Sequence, residues 1–240
     1  MQSVVLPQGF ALTRSRSARA RLESAFGERI PTPFTDLDRR VFESVPTGIA
    51  ELDALIGGLP RSAITEIYGP PSSGRTSAVM SILAEATARD EVCAFVDGGD
   101  AFDPKSAETA GIDLSRLLWV RCHNLDQVLK TADLLLQGGG FGCVVMDLSD
   151  LPPAQVRSMP LASWFRFQRS IEKTPTTLIV LARESTVKSA AALVLNLEMA
   201  NTEWSALLDT IETNVQIARS RRSKPVNSHV RVHFRSQFSI

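Results

Sequence analysis

The sequence predicts an α/β domain, with a mostly parallel central sheet, helices on both faces and an antiparallel hairpin at its C-terminal end. Three observations carry this. Short apolar runs alternate with helical patterns through most of the chain, which is how parallel strands joined by crossover helices read. A Gly/Pro/Ser-rich loop at 69–76 lies between one such run and one such helix. Toward the C-terminus the pattern changes to apolar residues alternating one by one with polar ones, the period of a half-buried strand.

Taken in order, residues 1–45 form an appendage and linker, and 46–240 the main domain. A helix is expected over 17–26, and Ile30-Pro-Thr-Pro33 breaks it, because proline disfavours helix at the residue before it and removes a donor. Arg14, Arg16, Arg19 and Arg21 alternate there with Ser and Ala, and no acid appears before Glu23. That composition suits a basic arm, a solvated helix face or an organelle transit peptide. Thr47 is placed to cap a short helix carrying Ile49, Leu52, Leu55 and Ile56, which Gly57-Gly58 ends. Strands follow at 63–68, at 92–96 with Asp97 after it, and at 117–120, 143–146, 177–181 and 193–197. Helices are expected at 77–89, at 125–136 before three consecutive glycines, and at 161–171. Val215 and Ile217, then Val230, Val232 and Phe234, make the closing hairpin around Lys224-Pro-Val-Asn227.

Composition excludes several classes. With 26 basic and 26 acidic residues in 240 and 44% apolar content, the chain has no net charge to draw it to nucleic acid or membrane, so such contacts must be local. No apolar run approaches the roughly 18 residues a spanning helix needs. Cys93, Cys122 and Cys143 have no metal-ligand spacing. Cys93 and Cys143 sit in apolar runs and read as buried thiols of a cytoplasmic protein. His123, His229 and His233 form no ligand set with them, and Trp119, Trp164 and Trp204 read as core or interface aromatics.

The loop carries the chemistry. Gly69, Pro70, Pro71, Ser72, Ser73, Gly74, Arg75, Thr76 and Ser77 match the G-x-x-x-x-G-K-[ST] phosphate-binding pattern, with Arg where the pattern has Lys. Glycines let successive backbone N–H groups point at phosphate oxygens, and the following helix adds its positive end. Thr76 and Asp147, the latter at the end of an apolar run, are the candidate Mg²⁺ ligands. A nucleotide is the ligand expected. Arg75 keeps the charge but presents a planar fork instead of a compact ammonium, so weaker binding or altered catalysis is expected. An ordinary βα turn and an unrelated P-loop phosphotransferase are the competing readings.

Two blocks give a more specific signal. Pro46-Thr-Gly48-Ile-Ala-Glu-Leu-Asp53-x-Leu-Ile-Gly57-Gly58-Leu-Pro-Arg61 runs on into Ile64-Thr-Glu66-Ile-Tyr-Gly69. Phe95-Val-Asp97-Gly-Gly-Asp100-Ala-Phe-Asp103-Pro104 continues into Ala110-Gly-Ile-Asp-Leu-Ser-Arg-Leu-Leu118. Over 46–200 this resembles the RecA ATPase core. The resemblance implies a RecA-like P-loop fold and puts Asp103 near the adenine. It also implies losses: the water-activating carboxylate falls at Gly99 with Asp100 adjacent, the adenine-stacking aromatic near Ser106, and the γ-phosphate sensor glutamine at Arg183. Asp100 is therefore the candidate catalytic carboxylate, and hydrolysis is expected to be slow.

The segment 184–191, in the place of a long mobile DNA-handling loop, is short. The chain ends at Ile240 directly after the hairpin, so a separate C-terminal domain and a strand-exchange filament are not expected. Such a reduced relative is similar to the ImuA group. That likeness implies an accessory role in the SOS response and translesion synthesis, with an ImuB-like polymerase component and RecA as partners. Single-stranded DNA and further copies of the chain are the other partners it implies, and a DNA-dependent ATPase of recombinase type is the alternative. Arg219, Arg221, Arg222 and Lys224, with Arg231, His233 and Arg235, are the candidate basic contacts, against the reading of a solvated turn.

Overall fold

A computed structural model describes residues 43–204, 208–221 and 229–235. The helix expected over 17–26 and the hairpin tip at 222–228 lie outside the described residues. The domain runs β1 (Ser44–Val45), α1 (Ala50–Ile56), β2 (Leu59–Pro60), β3 (Ala63–Tyr68), α2 (Arg75–Ala88), β4 (Cys93–Asp97), α3 (Pro104–Thr109), β5 (Leu117–Arg121), α4 (Leu125–Gly138), β6 (Cys143–Asp147), α5 (Pro153–Arg157), α6 (Leu161–Ile171), β7 (Thr177–Ala182), β8 (Leu193–Trp204), β9 (Leu208–Ser220) and β10 (His229–Arg235).

The main sheet has eight strands in the order β10-β9-β8-β3-β7-β6-β4-β5. The six from β8 to β5 are parallel. β8, β9 and β10 form an antiparallel end. The expected mixed sheet is thus the observed one.

Side-chain alternation along the strands divides the core in two. Cys93 and Phe95 of β4 and Ile67 of β3 face α1 and α2, where Leu52, Val79, Ile82 and Leu83 meet them. Ala94, Val96 and Ile64 face the other way, onto Val128, Ala132 and Leu136 of α4 and Trp164, Phe167 and Ile171 of α6. The central strands are buried on both faces, which is why they read as continuous apolar runs.

The structure differs from expectation in particular places. Thr47 is not a side-chain cap: α1 begins at Ala50, with Ile49 at the cap position and no capping side chain. Instead Thr47 Oγ1 accepts from Ile49 N at 3.1 Å, and the Asp53 carboxylate accepts from Thr47 N at 2.9 Å. The helix end is as expected, with Gly57 left-handed at φ 69°.

β8 runs to Trp204, well past the expected Leu197. Beyond Asn196 its registered partner is β9 alone, so no apolar run marks it. The small β1–β2 pair, α3 and α5 were not anticipated from the pattern. Each is too short to show a period. No helix among the described residues is long and apolar enough to cross a membrane.

Candidate nucleotide-binding site

The loop from Gly69 to Thr76 hangs between the end of β3 and the start of α2, where the parallel strands present their C-terminal ends. Its shape is set by two left-handed residues, Ser72 at φ 62° and Gly74 at φ 85°, the kind of backbone reversal that turns N–H groups inward. Packing leaves no room for a side chain at either glycine. A Cβ on Gly69 would collide with the Leu197 carbonyl oxygen. One on Gly74 would lie 2.5 Å from Thr213 Oγ1 and 2.9 Å from the Phe234 ring. Thr213 also donates to the Ser73 carbonyl oxygen at 3.2 Å, so the antiparallel end of the sheet braces the loop.

Ser73 is 1% exposed, and its Oγ has no hydrogen-bond partner among the described residues. Ser73 lies in the loop directly before the N-terminus of α2. Pro70, Pro71, Ser72 and Thr76 are exposed, and Ser77 is half-buried. Thr76 and Ser77 open onto a cleft of about 430 Å³, whose other walls include Ile49, Met80, Ser106, Thr109 and Phe234. Ser106, where an adenine-stacking aromatic was expected from the resemblance, thus does line the cleft beside the loop.

Arg75 does not extend into solvent. It is 9% exposed, and its Nη1 donates to Ser149 Oγ at 2.8 Å and to the Ala182 carbonyl oxygen at 2.7 Å. Burial lowers its pKa from the ordinary guanidinium value, the Arg183 charge adds to that, and Asp147 and Asp150 oppose it. Asp147, in register with Asp97 at the end of the neighbouring strand, accepts from Ser149 N at 2.8 Å. Burial pushes its carboxyl above the usual carboxylate range, with Asp150 adding, against the Ser149 hydrogen bonds and Arg75.

Arg75 and Asp147 therefore share Ser149. Thr76 lines the cleft, whereas Asp147 at the end of β6 has the Arg75 guanidinium joined to it through Ser149.

Asp97 is fully buried, and its carboxylate accepts from Gly99 N, Ala101 N, Phe102 N and Trp119 Nε1 at 3.0–3.2 Å. It is a structural acid that shapes the turn after β4, a role that only the fold reveals. Asp100 takes a left-handed φ of 54° and lies 3.7 Å from Arg121 Nη1 at the end of β5. It leans toward the sheet edge, away from β3 and its loop.

The acid that meets Gly99 is Asp150: a Cβ at position 99 would lie 2.5 Å from Asp150 Cβ and 3.0 Å from its Oδ2. Asp150 Oδ1 accepts from Arg183 Nη2 at 3.0 Å. Two of the expected departures, Gly99 and Arg183, are thus joined through one residue. Sequence reasoning missed Asp150, although its position three residues beyond Asp147 was the available signal.

Asp103 caps α3, accepting from Ser106 N at 3.0 Å and from Lys105 N. Ser106 and its own loop pull its carboxyl below the ordinary value.

The short segment after β7 is anchored, not loose. Glu66, fully buried on β3, accepts from Ser185 Oγ at 2.7 Å, from Val187 N at 2.9 Å and from both the amide and the hydroxyl of Thr186. Arg219 and Arg221 donate to the Lys188 and Ser189 carbonyl oxygens of the same segment. Those two members of the basic cluster therefore brace a loop, and Arg231 and His233 both lie against Glu212, at 3.8 and 3.4 Å.

Fold and loop together define an α/β domain of the P-loop kind. The sequence of residues 15–156 matches the model of the RecA N-terminal domain, and the chain belongs to the RecA family. Among curated relatives, the RecA protein of Frankia alni is 36% identical over 133 residues, which is 55% of this chain and 38% of that one. The RecA protein of Mycobacterium marinum is 38% identical over 132 residues, 54% of this chain and 38% of the relative. The match thus spans under two fifths of these relatives' length. A crystal structure of the RadB recombinase superposes with a TM-score of 0.63 at 21% identity, covering 80% of this chain and 96% of that one. It shows a shared fold.

Proposed function

We propose that this chain is a RecA-like accessory protein of bacterial DNA repair that binds ATP weakly and acts through protein contacts in the cytoplasm. The observation that carries the reading is the loop itself. A braced loop with an orphaned buried Ser73 hydroxyl leads into Thr76 and Ser77, which line a cleft of about 430 Å³. Yet its cation is tied to Ser149 and Ala182, and its position 99 has no carboxylate. The cradle supports binding, and the rest of the site argues against fast turnover. Gly69, Pro70, Pro71, Ser72, Ser73, Gly74, Arg75, Thr76 and Ser77 hold the phosphates in this reading, and Asp103 stands at the base side.

The clamped segment 183–192 supports an accessory role over strand exchange, since Glu66, Arg219 and Arg221 hold it down. The partners are translesion polymerase components of the ImuB-like kind and RecA, in the setting of the SOS response. Single-stranded DNA and further copies of the chain complete the set. The test is capture of the full chain from damaged cells, scored for polymerase components and RecA. Their absence, with the bait folded and recovered, overturns the accessory role.

One observation favours the second reading, a DNA-dependent ATPase. The Asp150 carboxylate lies where a side chain at 99 would start, and it, with Asp100, is the candidate water-activating acid. That reading requires ATP turnover on single-stranded DNA that disappears in Asp150→Asn or Asp100→Asn. No turnover at high protein concentration refutes it.

A further inference from the structure

Four charged side chains meet at the C-terminal ends of β6 and β7: Arg75, Arg183, Asp147 and Asp150. Arg183 pairs with Asp150 at 3.0 Å, and Arg75 shares Ser149 with Asp147. The cluster is neutral as it stands. Its most buried cation is Arg75, in the first turn of α2, a helix of 14 residues. Of the five N–H donors on a guanidinium, the described hydrogen bonds use only those on Nη1. Nη2 and Nε of Arg75 have no partner among the described residues. Ser73 Oγ, two residues earlier and also buried, has none either. Unused donors and an orphaned hydroxyl at one helix N-terminus are matched by phosphate oxygens, which accept several bonds at once.

We infer that this loop binds the terminal phosphates of its nucleotide without a divalent cation, Arg75 supplying the charge that a metal ion at Asp147 would supply. The inference rests on the nucleotide-binding reading above and departs from the expectation of a magnesium complex. A planar fork grips phosphate bidentately, whereas a lysine acts as a point charge. Arg183 is already paired with Asp150 and Arg75 already stands beside Asp147, so the cluster holds no surplus negative charge for a dication. Asp147 then serves as the counter-ion that orients Arg75, a positioning residue and not a metal ligand.

The experiment is titration of the full chain with a fluorescent methylanthraniloyl ATP, once with magnesium and once with EDTA. The two dissociation constants are expected to agree within about threefold, while Arg75→Lys weakens binding in EDTA by about tenfold and recovers it with magnesium. Thermal denaturation of the wild-type chain with plain ATP in the same two buffers gives a second reading that needs no variant. The ATP-induced rise in Tm is expected to be equal in both. Saturable wild-type binding that appears only with magnesium overturns the inference while leaving nucleotide binding intact. No saturable binding and no rise in Tm in either buffer overturns the nucleotide reading, and the inference with it.

Discussion

Position 99 gives the sharpest test of how this site is built. In Gly99→Ala the new Cβ would lie 2.5 Å from Asp150 Cβ, against about 3.5–4.0 Å for an ordinary carbon contact. Roughly 1 Å must open between the turn after β4 and the loop after β6. Gly98 offers little slack, since its own amide is bonded to Asp147 O at 3.1 Å and a Cβ there would lie 2.6 Å from that oxygen. Overpacking of this kind costs about 1–3 kcal/mol, or a fall in Tm of about 2–4 °C per kcal/mol for a domain of this size.

The nearest atom is a Cβ, so only Asp150→Gly removes the clash, and Asp150→Ala does not. Asp150→Gly alone loses an ion pair whose side chains are 43% and 46% exposed, worth about 0.2–1 kcal/mol after solvent screening. It adds about 0.5–1 kcal/mol of backbone entropy. The double variant is then expected to be no less stable than Asp150→Gly, a coupling of at least about 1 kcal/mol. Urea denaturation of the four proteins, followed by circular dichroism, measures it. Effects that add within about 0.5 kcal/mol would refute the claim that Asp150 fills the volume at 99. The same result would reopen the question of which acid stands nearest the loop.

Three further predictions concern residues away from the loop. Arg61, 9% exposed, bonds Glu91 and the Gly142 and Pro175 carbonyl oxygens. Arg61→Met should therefore destabilise by about 1–3 kcal/mol, because Glu91 keeps only Arg89 as its cation, the Pro175 carbonyl loses its Arg61 donor and the Gly142 carbonyl keeps only Thr177 N. Burial alone would raise the Glu91 pKa, but the hydrogen bonds and charges of Arg61 and Arg89 outweigh it, so the folded pKa lies below the ordinary glutamate value. A depressed carboxyl contributes stability that is present above its unfolded pKa and lost as pH falls through the folded one. The stability gap between wild type and Glu91→Gln should hold at neutral pH and shrink below about pH 4.5, and a gap that widens there would contradict the assignment. Burial, aided by Glu91, pushes the Cys93 thiol up to about 12, and Cys143 is raised by burial too. Both should resist a thiol reagent until the protein unfolds; prompt labelling of either in native buffer would show that β4 and β6 are not the closed core described.

The parallel core was legible because its strands are buried on both faces. Runs such as Val144, Val145 and Met146 have no solvent-facing side to interrupt them, so apolar length alone marked β3, β4, β6 and β7 within a residue. The phosphate loop was legible because glycine is needed at both ends of it, and the fold shows why: Leu197 and Phe234 occupy the space a Cβ would take at Gly69 and Gly74. The long β8–β9 ribbon was not legible past Leu197, since its backbone hydrogen bonds are to one neighbour and leave no apolar signature.

By itself, then, the sequence determined the fold class, the family and the place of the cradle, because these depend on local patterns of burial and backbone freedom. Only the tertiary structure decided what the charged residues do. Asp97 became a structural acid, Asp100 turned toward Arg121, Asp150 came to Gly99, and Arg75 was drawn onto Ser149 and Ala182. The physical reason is that, apart from the local turn amides on Asp97, these partners come from different strands and loops, up to 107 residues apart in the chain. Sheet order brings them together, and no sequence spacing encodes it.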